Sequence, residues 1–258
     1  MTDTSRLRLD ALYRYPVKGL SPEPMDQATL TAGDYFPDDR LFAVENGPSG
    51  FDPAAPVHQP KIKFLMLMRD EALAQLDTRY DPEDGTLTIR QGGAIAARGD
   101  LAQPEGRAVI EDFLTRYMPG SLRGPARMLS APTGYRFTDS PRGFVSLLNL
   151  ASVSALETMT GAAVDPLRFR ANLHLSGLDA WAELDLVDRT LTTPGGVHLH
   201  IHKRTQRCAA TNVDPVTGQR DLAIPRTLAQ HLGHTDCGVY AEVLAGGVLT
   251  VGEALALV

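Results

Sequence analysis

The stretch KRTQRCAATNVDPVTGQRD, Lys203 to Asp221, sets one of the chain's two cysteines between a basic segment and a run of turn-forming residues. The segment Asn212–Gly218 contains Asn, Asp, Pro and Gly. These residues favour a tight turn, because Asx side chains bond nearby backbone groups and proline presets φ. We therefore expect Cys208 to lie where a strand ends and continues into a turn, near the rim of a sheet.

Cys208 has two interpretations at this stage. Arg204 and Arg207 lie close by in sequence, and positive charge near a thiol favours the thiolate, which attacks electrophiles and binds soft metals. A lone cysteine in a globular protein is also commonly an inert, buried small hydrophobe. The other cysteine, Cys237, stands in HTDCGVY before a strand candidate, and we expect it to be structural.

The composition indicates a globular protein. With 258 residues, 43% of them hydrophobic, the chain is long enough for one large or two ordinary domains. A net charge of -6 argues against nucleic acid as the main partner. Because the chain has no apolar run of roughly 20 residues and no signal peptide, we expect a cytoplasmic protein without a membrane span. Neither GxGxxG nor GxxxxGK occurs, so a redox enzyme of this sequence would take electrons from another protein.

The first part of the chain predicts short strands and one helix. The run LRLDALYRYPVK predicts a half-buried strand that ends at Pro16. Further strand candidates are Gln27–Thr31, Leu41–Glu45, Ile62–Met68 and Thr86–Arg90. Their spacing is typical of a small sheet or barrel rather than of βαβ units. Pro104–Tyr117 has the i, i+3, i+4 apolar pattern of an amphipathic helix. The segment Met118–Pro125, MPGSLRGP, is the candidate boundary between two domains.

In the second part, Phe144–Leu150 predicts a strand that continues into a helix over Ser152–Met159. Residues 154–157, Ser-x-x-Glu, fit a capping box, and Asn149 or Ser152 are alternative caps. Where a strand runs into a helix N-terminus, free N–H groups and a partial positive charge favour an anion, although many such junctions bind only water.

The run Leu167–Leu175, LRFRANLHL, alternates between apolar and polar residues, which predicts a strand with a row of donors on one face. That row contains Arg168, Arg170, Asn172 and His174. Arginine forks suit phosphate, so this face either binds an anionic ligand or is a solvated edge.

His198, His200 and His202 alternate with apolar residues, so they share one face of another predicted strand. Side chains two apart on a strand project in parallel rather than converge. We therefore interpret the row as a polar strand face rather than a zinc site.

The C-terminal part predicts a helix and a hairpin. The helix covers Pro225–Leu232. Strand candidates Val239–Leu244 and Val248–Val251 flank the pair Gly246-Gly247, and a glycine pair between apolar runs is typical of a hairpin turn.

Several segments occur together in an order that resembles the molybdenum-cofactor sulfurase C-terminal (MOSC) superfamily, and within it the amidoxime-reducing components. They are YPVKG (Tyr15–Gly19), DDR (Asp38–Arg40), RFRAN with HLSG (Arg168–Gly177), RCAATNVDPVTG (Arg207–Gly218), and GVYAEVL followed by VGEAL (Gly238–Leu255). The resemblance covers most of the chain. It implies a mainly β (α+β) fold, with a small β-barrel N-terminal domain over residues 1–125. Residues 126–258 would form a MOSC β-barrel domain with a few peripheral helices.

The resemblance also implies a site for a molybdenum cofactor, in which one protein thiolate and the dithiolene of a molybdopterin hold the metal. By position, that catalytic and metal-binding thiolate is Cys208. The residues implied to bind the cofactor are Lys18, Arg40, Asn149, Ser152, Arg170, Asn172 and Cys208. An arginine-containing segment that follows the DDR strand in the family is replaced here by VHQPK, residues 57–61.

By the same resemblance, we expect a molybdenum-dependent oxidoreductase that reduces N-hydroxylated or other N-oxygenated small molecules. Its electrons would come from a separate ferredoxin, flavoprotein or cytochrome. One alternative is a carrier that binds molybdenum cofactor or sulfur through Cys208 without turnover. Another is a pyridoxal phosphate protein in which Lys18 forms a Schiff base. A last alternative is a β protein in which Cys208 is merely buried.

Overall fold

The structure is a computed structural model that describes residues 7–140, 142 and 145–258. Its strands are β1 (Arg8–Arg14), β2 (Glu23–Met25), β3 (Gln27–Leu30), β4 (Phe42–Asn46), β5 (Leu76–Asp81), β6 (Thr86–Gln91), β7 (Ala94–Asp100), β8 (Ala126–Ser130), β9 (Val145–Asn149), β10 (Leu173–Ser176), β11 (Thr190–Thr192), β12 (His198–Gln206), β13 (Asp236–Ala245), β14 (Gly247–Thr250) and β15 (Ala256–Leu257). The α-helices are α1 (Pro104–Tyr117), α2 (Leu150–Thr160) and α3 (Ile224–Leu232). The predicted mainly β, α+β class is confirmed. None of the helices described has the length and apolar character that a bilayer crossing requires.

The largest sheet has eight strands in the order β15-β11-β12-β13-β9-β10-β1-β2. Neighbouring strands are antiparallel except β9 and β10, which are parallel. Alternate residues of a strand face opposite sides. On one side, Leu147 and Val239 belong to the main apolar core. On the other side, Leu148 packs with Leu156 of α2 and Leu228 of α3.

A smaller unit of the first half consists of the antiparallel strands β5-β6-β7 and helix α1. The helix has the span that its periodicity predicts, and its Ile110 and Leu114 are buried in one core with Leu87 and Ile89 of β6. Local amphipathic pattern and long-range packing therefore agree in this unit.

Strand pairing joins the two halves of the chain. Three strands of the first half pair with strands that follow the candidate boundary: β1 pairs with β10, β3 pairs with β14, and β4 pairs with β8. The division into residues 1–125 and 126–258 remains a prediction. The pairing explains why one cavity has walls from both halves.

The predicted strand over Ile62–Met68 is wrong. A 3₁₀ turn covers Lys61–Lys63, and side chains then bond the backbone that a strand would have used. The Asp70 carboxylate accepts a hydrogen bond from Met66 N at 2.9 Å, and Arg69 Nη2 donates to the carbonyl oxygen of residue 64 at 3.2 Å. Such local side-chain bonds compete with a strand ladder.

The predicted C-terminal hairpin is also wrong. β13 already has β12 and β9 at its two edges, so β14 pairs with β3 instead. Gly246 allows this crossing, because a Cβ at that position would lie 2.5 Å from the Leu30 carbonyl oxygen. The glycines serve a close backbone approach rather than a hairpin turn.

The strand and helix predicted from Phe144 onward are present as β9 and α2, while Phe144 itself lies outside the described residues. Asn149 is the N-cap, since its side chain accepts a hydrogen bond from Ala151 N at 3.2 Å. The capping box at residues 154–157 is therefore wrong, and Glu157 accepts from Val164 N at 3.0 Å instead.

Candidate functional site

A cavity of about 580 Å³ lies between the two halves. Its walls from the first half include Lys18, Arg40, Lys61 and the segment 66–68. Its walls from the second half include Asp139, Ser146, Arg170, Asn172 and the segment 203–208. Such a volume suits a small ligand or cofactor.

Cys208 lies at the end of a strand that runs into a turn, as its sequence predicts. It follows β12 and stands at the N-cap of a 3₁₀ turn over Ala209–Asn212. Thr211 Oγ1 donates to the Cys208 carbonyl oxygen at 2.9 Å, which fixes the turn. The residue is half-buried and lines the cavity, so its thiol is accessible from there.

Cations from both halves line the cavity with Cys208. Arg204 and Arg207 are among them, although Arg204 Nε bonds the carbonyl oxygen of residue 184 at 2.9 Å, and Arg207 Nε bonds that of Cys237 at 2.6 Å. Lys61, in the VHQPK segment, is a further cation that proximity in the sequence could not find. Burial alone would lower the pKa of Lys61, but the Asp139 carboxylate and then the Cys208 thiol raise it.

Lys18 is buried in the cavity wall. Its Nζ donates to the Phe137 carbonyl oxygen at 2.9 Å and to the Asp139 carboxylate. Burial lowers the pKa of Lys18, and Asp139 opposes that shift. Asp139 also lies 3.7 Å from Lys61 Nζ. One carboxylate thus faces two cations of the cavity.

Arg40 and Arg170 stack on the same aromatic ring. Their guanidinium carbons lie 4.4 and 4.3 Å from the centroid of the Tyr15 ring. Both arginines have left-handed backbone conformations, with φ of 50° and 53°. Burial, followed by the charge of Arg40, lowers the pKa of Arg170 to about 10. Arg40 is paired with the Asp39 carboxylate at 2.5 Å. Strained backbone clusters at functional sites, and guanidinium groups suit an anion with several acceptor oxygens.

Four buried donor atoms of cavity-lining residues have no hydrogen-bond partner within the described chain: Arg168 Nε, Arg170 Nη2, Arg207 Nη2 and Thr205 Oγ1. A buried polar group without a partner is costly, so each such group requires an explanation. An anionic ligand with several acceptor oxygens would satisfy these donors. The wall therefore fits a phosphate-bearing ligand.

Asn172 lies in the cavity wall, but its side chain is already engaged. Its Nδ2 donates to the Tyr13 carbonyl oxygen at 3.1 Å, and its Oδ1 accepts from Ser146 Oγ at 2.8 Å. Asn172 directly precedes β10, and these bonds connect it to β1 on one side and to β9 on the other. Asn172 therefore holds the shape of the wall.

Asn149 and Ser152 are not among the cavity-lining residues. Both are fully buried, and Asn149 Nδ2 and Ser152 Oγ donate to Glu183 Oε2 at 3.0 and 2.7 Å. The other oxygen of Glu183 accepts from Gly238 N at 3.2 Å. The strand-to-helix junction thus binds an internal carboxylate, and this placement does not support a contact between these two residues and a cofactor.

Arg168 also departs from the predicted donor row. A 3₁₀ turn over Pro166–Phe169 and the left-handed Arg170 interrupt the expected alternation, so the strand begins only at Leu173. Arg168 Nη1 and Nη2 each bond Asp221 at 2.8 Å, and Nη2 bonds Asp214 at 3.0 Å. We call residues 207–221 the Cys208 loop, and Arg168 anchors it to the 3₁₀ turn before β10.

The histidines and the second cysteine singled out in the sequence analysis do not line the cavity. His174 is buried on β10, where burial and the charge of Arg207 lower its pKa to about 4. The histidine row from His198 lies on β12, and among the described residues no His, Cys, Asp or Glu side chains group in threes to hold a metal. Cys237 is fully buried, which raises the pKa of its thiol to about 12.

Comparison with known proteins places family domains on both halves of the chain. The MOSC domain matches residues 134–256, and the MOSC N-terminal beta barrel domain matches residues 6–119. Among solved structures, the chain is similar to the YuaD protein from Bacillus subtilis, with 11% identity, a TM-score of 0.47 and coverage of 100% of this chain and 98% of that chain. It is also similar to YiiM from Geobacillus stearothermophilus, with 22% identity, a TM-score of 0.35 and coverage of 44% and 53%. No curated protein matches the chain.

Proposed function

We propose that this chain, which belongs to the MOSC family, is a molybdenum-dependent oxidoreductase. The family is associated with the molybdenum cofactor, and the chain also carries the N-terminal barrel domain of that family. The proposed enzyme reduces N-hydroxylated or other N-oxygenated small molecules. The observation that carries the proposal is the position of Cys208, whose accessible thiol shares one cavity with arginines that each have a buried guanidinium nitrogen without a partner within the described chain.

The residues present suit the cofactor. Cys208 offers a soft sulfur ligand of the kind that molybdenum accepts. Lys18, Arg40, Arg170 and Arg207 line the same cavity and offer positive charge to a phosphate. The described chain has no cluster of metal-binding side chains, so a metal here would bring further ligands of its own.

When bound, the cofactor supplies the two-electron redox chemistry that the side chains lack. An N-hydroxy compound takes up two electrons and two protons, its N–O bond breaks, and an amine and water leave. The electrons come from a separate donor protein of the ferredoxin, flavoprotein or cytochrome type. Cys208 would hold the metal, and Lys18, Arg40, Arg170 and Arg207 would hold the anionic part of the cofactor.

Turnover with a chemical reductant tests this proposal. Protein from a host that makes the cofactor is supplied with a reduced viologen dye and an N-hydroxyamidine, and the amidine product is measured. We expect turnover by the wild type and by Cys237→Ala, and none by Cys208→Ala. Transfer of metal to an acceptor protein without turnover would favour a carrier instead. A Schiff-base absorption band that Lys18→Ala removes would favour pyridoxal phosphate.

A further inference from the structure

Arg220 bonds the backbone of one cavity wall and the backbone of the residue that follows Cys208. Its Nη2 lies 3.2 Å from the Leu67 carbonyl oxygen and 2.9 Å from that of Met68. Its Nη1 donates to the Ala209 carbonyl oxygen at 3.2 Å. Leu67 and Met68 line the cavity from the first half, and Ala209 directly follows Cys208.

Other contacts hold the same two segments together. Arg220 Nη2 also forms an ion pair with Glu71 at 2.9 Å. Gln75 Nε2 donates to the Thr217 carbonyl oxygen at 2.9 Å. Gly218 packs so closely that a Cβ there would lie 3.0 Å from the Glu71 carbonyl oxygen. The Cys208 loop therefore rests on segment 67–75 of the first half.

The charge of Arg220 contributes little to global stability. The Arg220 and Glu71 side chains are 32% and 45% exposed, and exposed ion pairs are weak. The geometry of the Arg220 guanidinium says more about its role, because this planar group bonds several acceptors in fixed directions. Here those acceptors belong to two segments that are far apart in the sequence.

We propose that Arg220 is a positioning residue that sets the distance between the Cys208 loop and the Leu67–Met68 wall. It thereby limits the size of the molecule that reaches Cys208. The proposal rests on the proposed function in that the substrate approaches Cys208. Arg220 itself does not line the cavity, so it acts through Ala209, Leu67 and Met68.

Cofactor-free protein provides a test that is independent of the proposed reaction. The rate of Cys208 alkylation is measured with a small reagent, iodoacetamide, and a bulky reagent, fluorescein maleimide, with Cys208→Ala as the blank. Loss of several charged hydrogen bonds eases local opening, so in Arg220→Ala we expect the bulky-to-small rate ratio to rise about tenfold. Arg220→Lys should restore part of the selectivity, because it keeps the charge but not the fork.

Arg107→Ala is the matched control, because Arg107 Nε donates to the Leu101 carbonyl oxygen at 2.5 Å and neither residue lines the cavity. The rate ratio should stay at the wild-type value in that variant. An unchanged ratio in Arg220→Ala, or equal acceleration with both reagents, would overturn the proposal. Thermal unfolding of each variant shows whether it has folded. Because no cofactor is present, failure of this test is distinct from failure to bind molybdenum.

Discussion

Arg168 provides a direct test of how the Cys208 loop is held. Its side chain is 2% exposed and forms ion pairs with Asp214 at 3.0 Å and Asp221 at 2.8 Å. Its Nη1 also lies 3.2 Å from the Asn212 carbonyl oxygen. Arg168→Gln removes the charge and the fork together, so the loop loses its anchor to the 3₁₀ turn before β10.

The expected loss follows from the exposure of the partners. Removing one member of a buried ion pair costs about 3–5 kcal/mol. The side chains of Asp214 and Asp221 are 25% and 43% exposed, so water can solvate them, and we expect the lower limit of ~3 kcal/mol. For 258 residues, an unfolding entropy of about 0.54 kcal/mol/K converts this loss into a fall in Tm of about 6 °C.

Calorimetry of cofactor-free wild type and Arg168→Gln measures the change. Arg127→Gln is the control, because the Arg127 side chain is 71% exposed and lies 3.8 Å from Glu45. A double-mutant cycle with Asp221→Asn isolates the pair, and we expect a coupling energy of about 1 kcal/mol or more. A fall in Tm below about 1 °C, or an equal fall in the control, would refute the reasoning.

Three further variants test other contacts around the cavity. A Cβ on Gly238, which has φ of +78°, would lie 2.5 Å from the Leu147 carbonyl oxygen and 2.8 Å from Arg207 Nη2, so Gly238→Ala should cost about 2 kcal/mol or more in urea titrations. Glu183 accepts three hydrogen bonds while 1% exposed, so Glu183→Gln, which offers an amide donor there, should lower the urea midpoint. An unchanged urea midpoint in either variant would contradict the prediction for that variant. Burial raises the pKa of Asp139, but Lys18 lowers it to about 2. The Asp139 carboxylate thus stabilises the fold above about pH 4, and that contribution is lost as the pH falls towards 2. The difference in Tm between wild type and Asp139→Asn should shrink over that interval; a difference that does not vary with pH would contradict it.

Local pattern predicted the elements whose stability is local. Helix α1 has the predicted bounds because its apolar stripe and its proline at the start are encoded within the segment itself. The hairpin at Gly246 was mispredicted because the partner of β14 is β3, more than two hundred residues earlier in the sequence. Strand pairing of this kind depends on contacts that no local pattern contains.

Some residues of the candidate site could be named from the sequence, and others could not. The resemblance named Lys18, Arg40, Arg170 and Cys208, and the structure places all of them in the wall of one cavity. Proximity in sequence could not find Lys61, because Lys61 is far from Cys208 along the chain. Its only sequence signal was its place in the segment that departs from the family.

Arg168 was assigned to a donor face by strand alternation. The 3₁₀ turn at Pro166 and the left-handed Arg170 break that alternation. Proline at the first position of the turn and the preceding Asp165, whose side chain accepts from Leu167 N at 2.8 Å, were the available signals. They predict a capped turn rather than a strand.

The molybdenum and pterin content of purified protein tests cofactor binding at Cys208 most directly. Wild type, Cys208→Ala and Cys237→Ala are expressed in a host that makes the cofactor, and metal and released pterin are measured per chain. We expect near-stoichiometric molybdenum in wild type and in Cys237→Ala, because the thiol of Cys237 is buried away from the cavity. We expect its loss in Cys208→Ala. Wild type that contains neither metal nor pterin despite a full supply, or Cys208→Ala that retains both, would contradict the assignment.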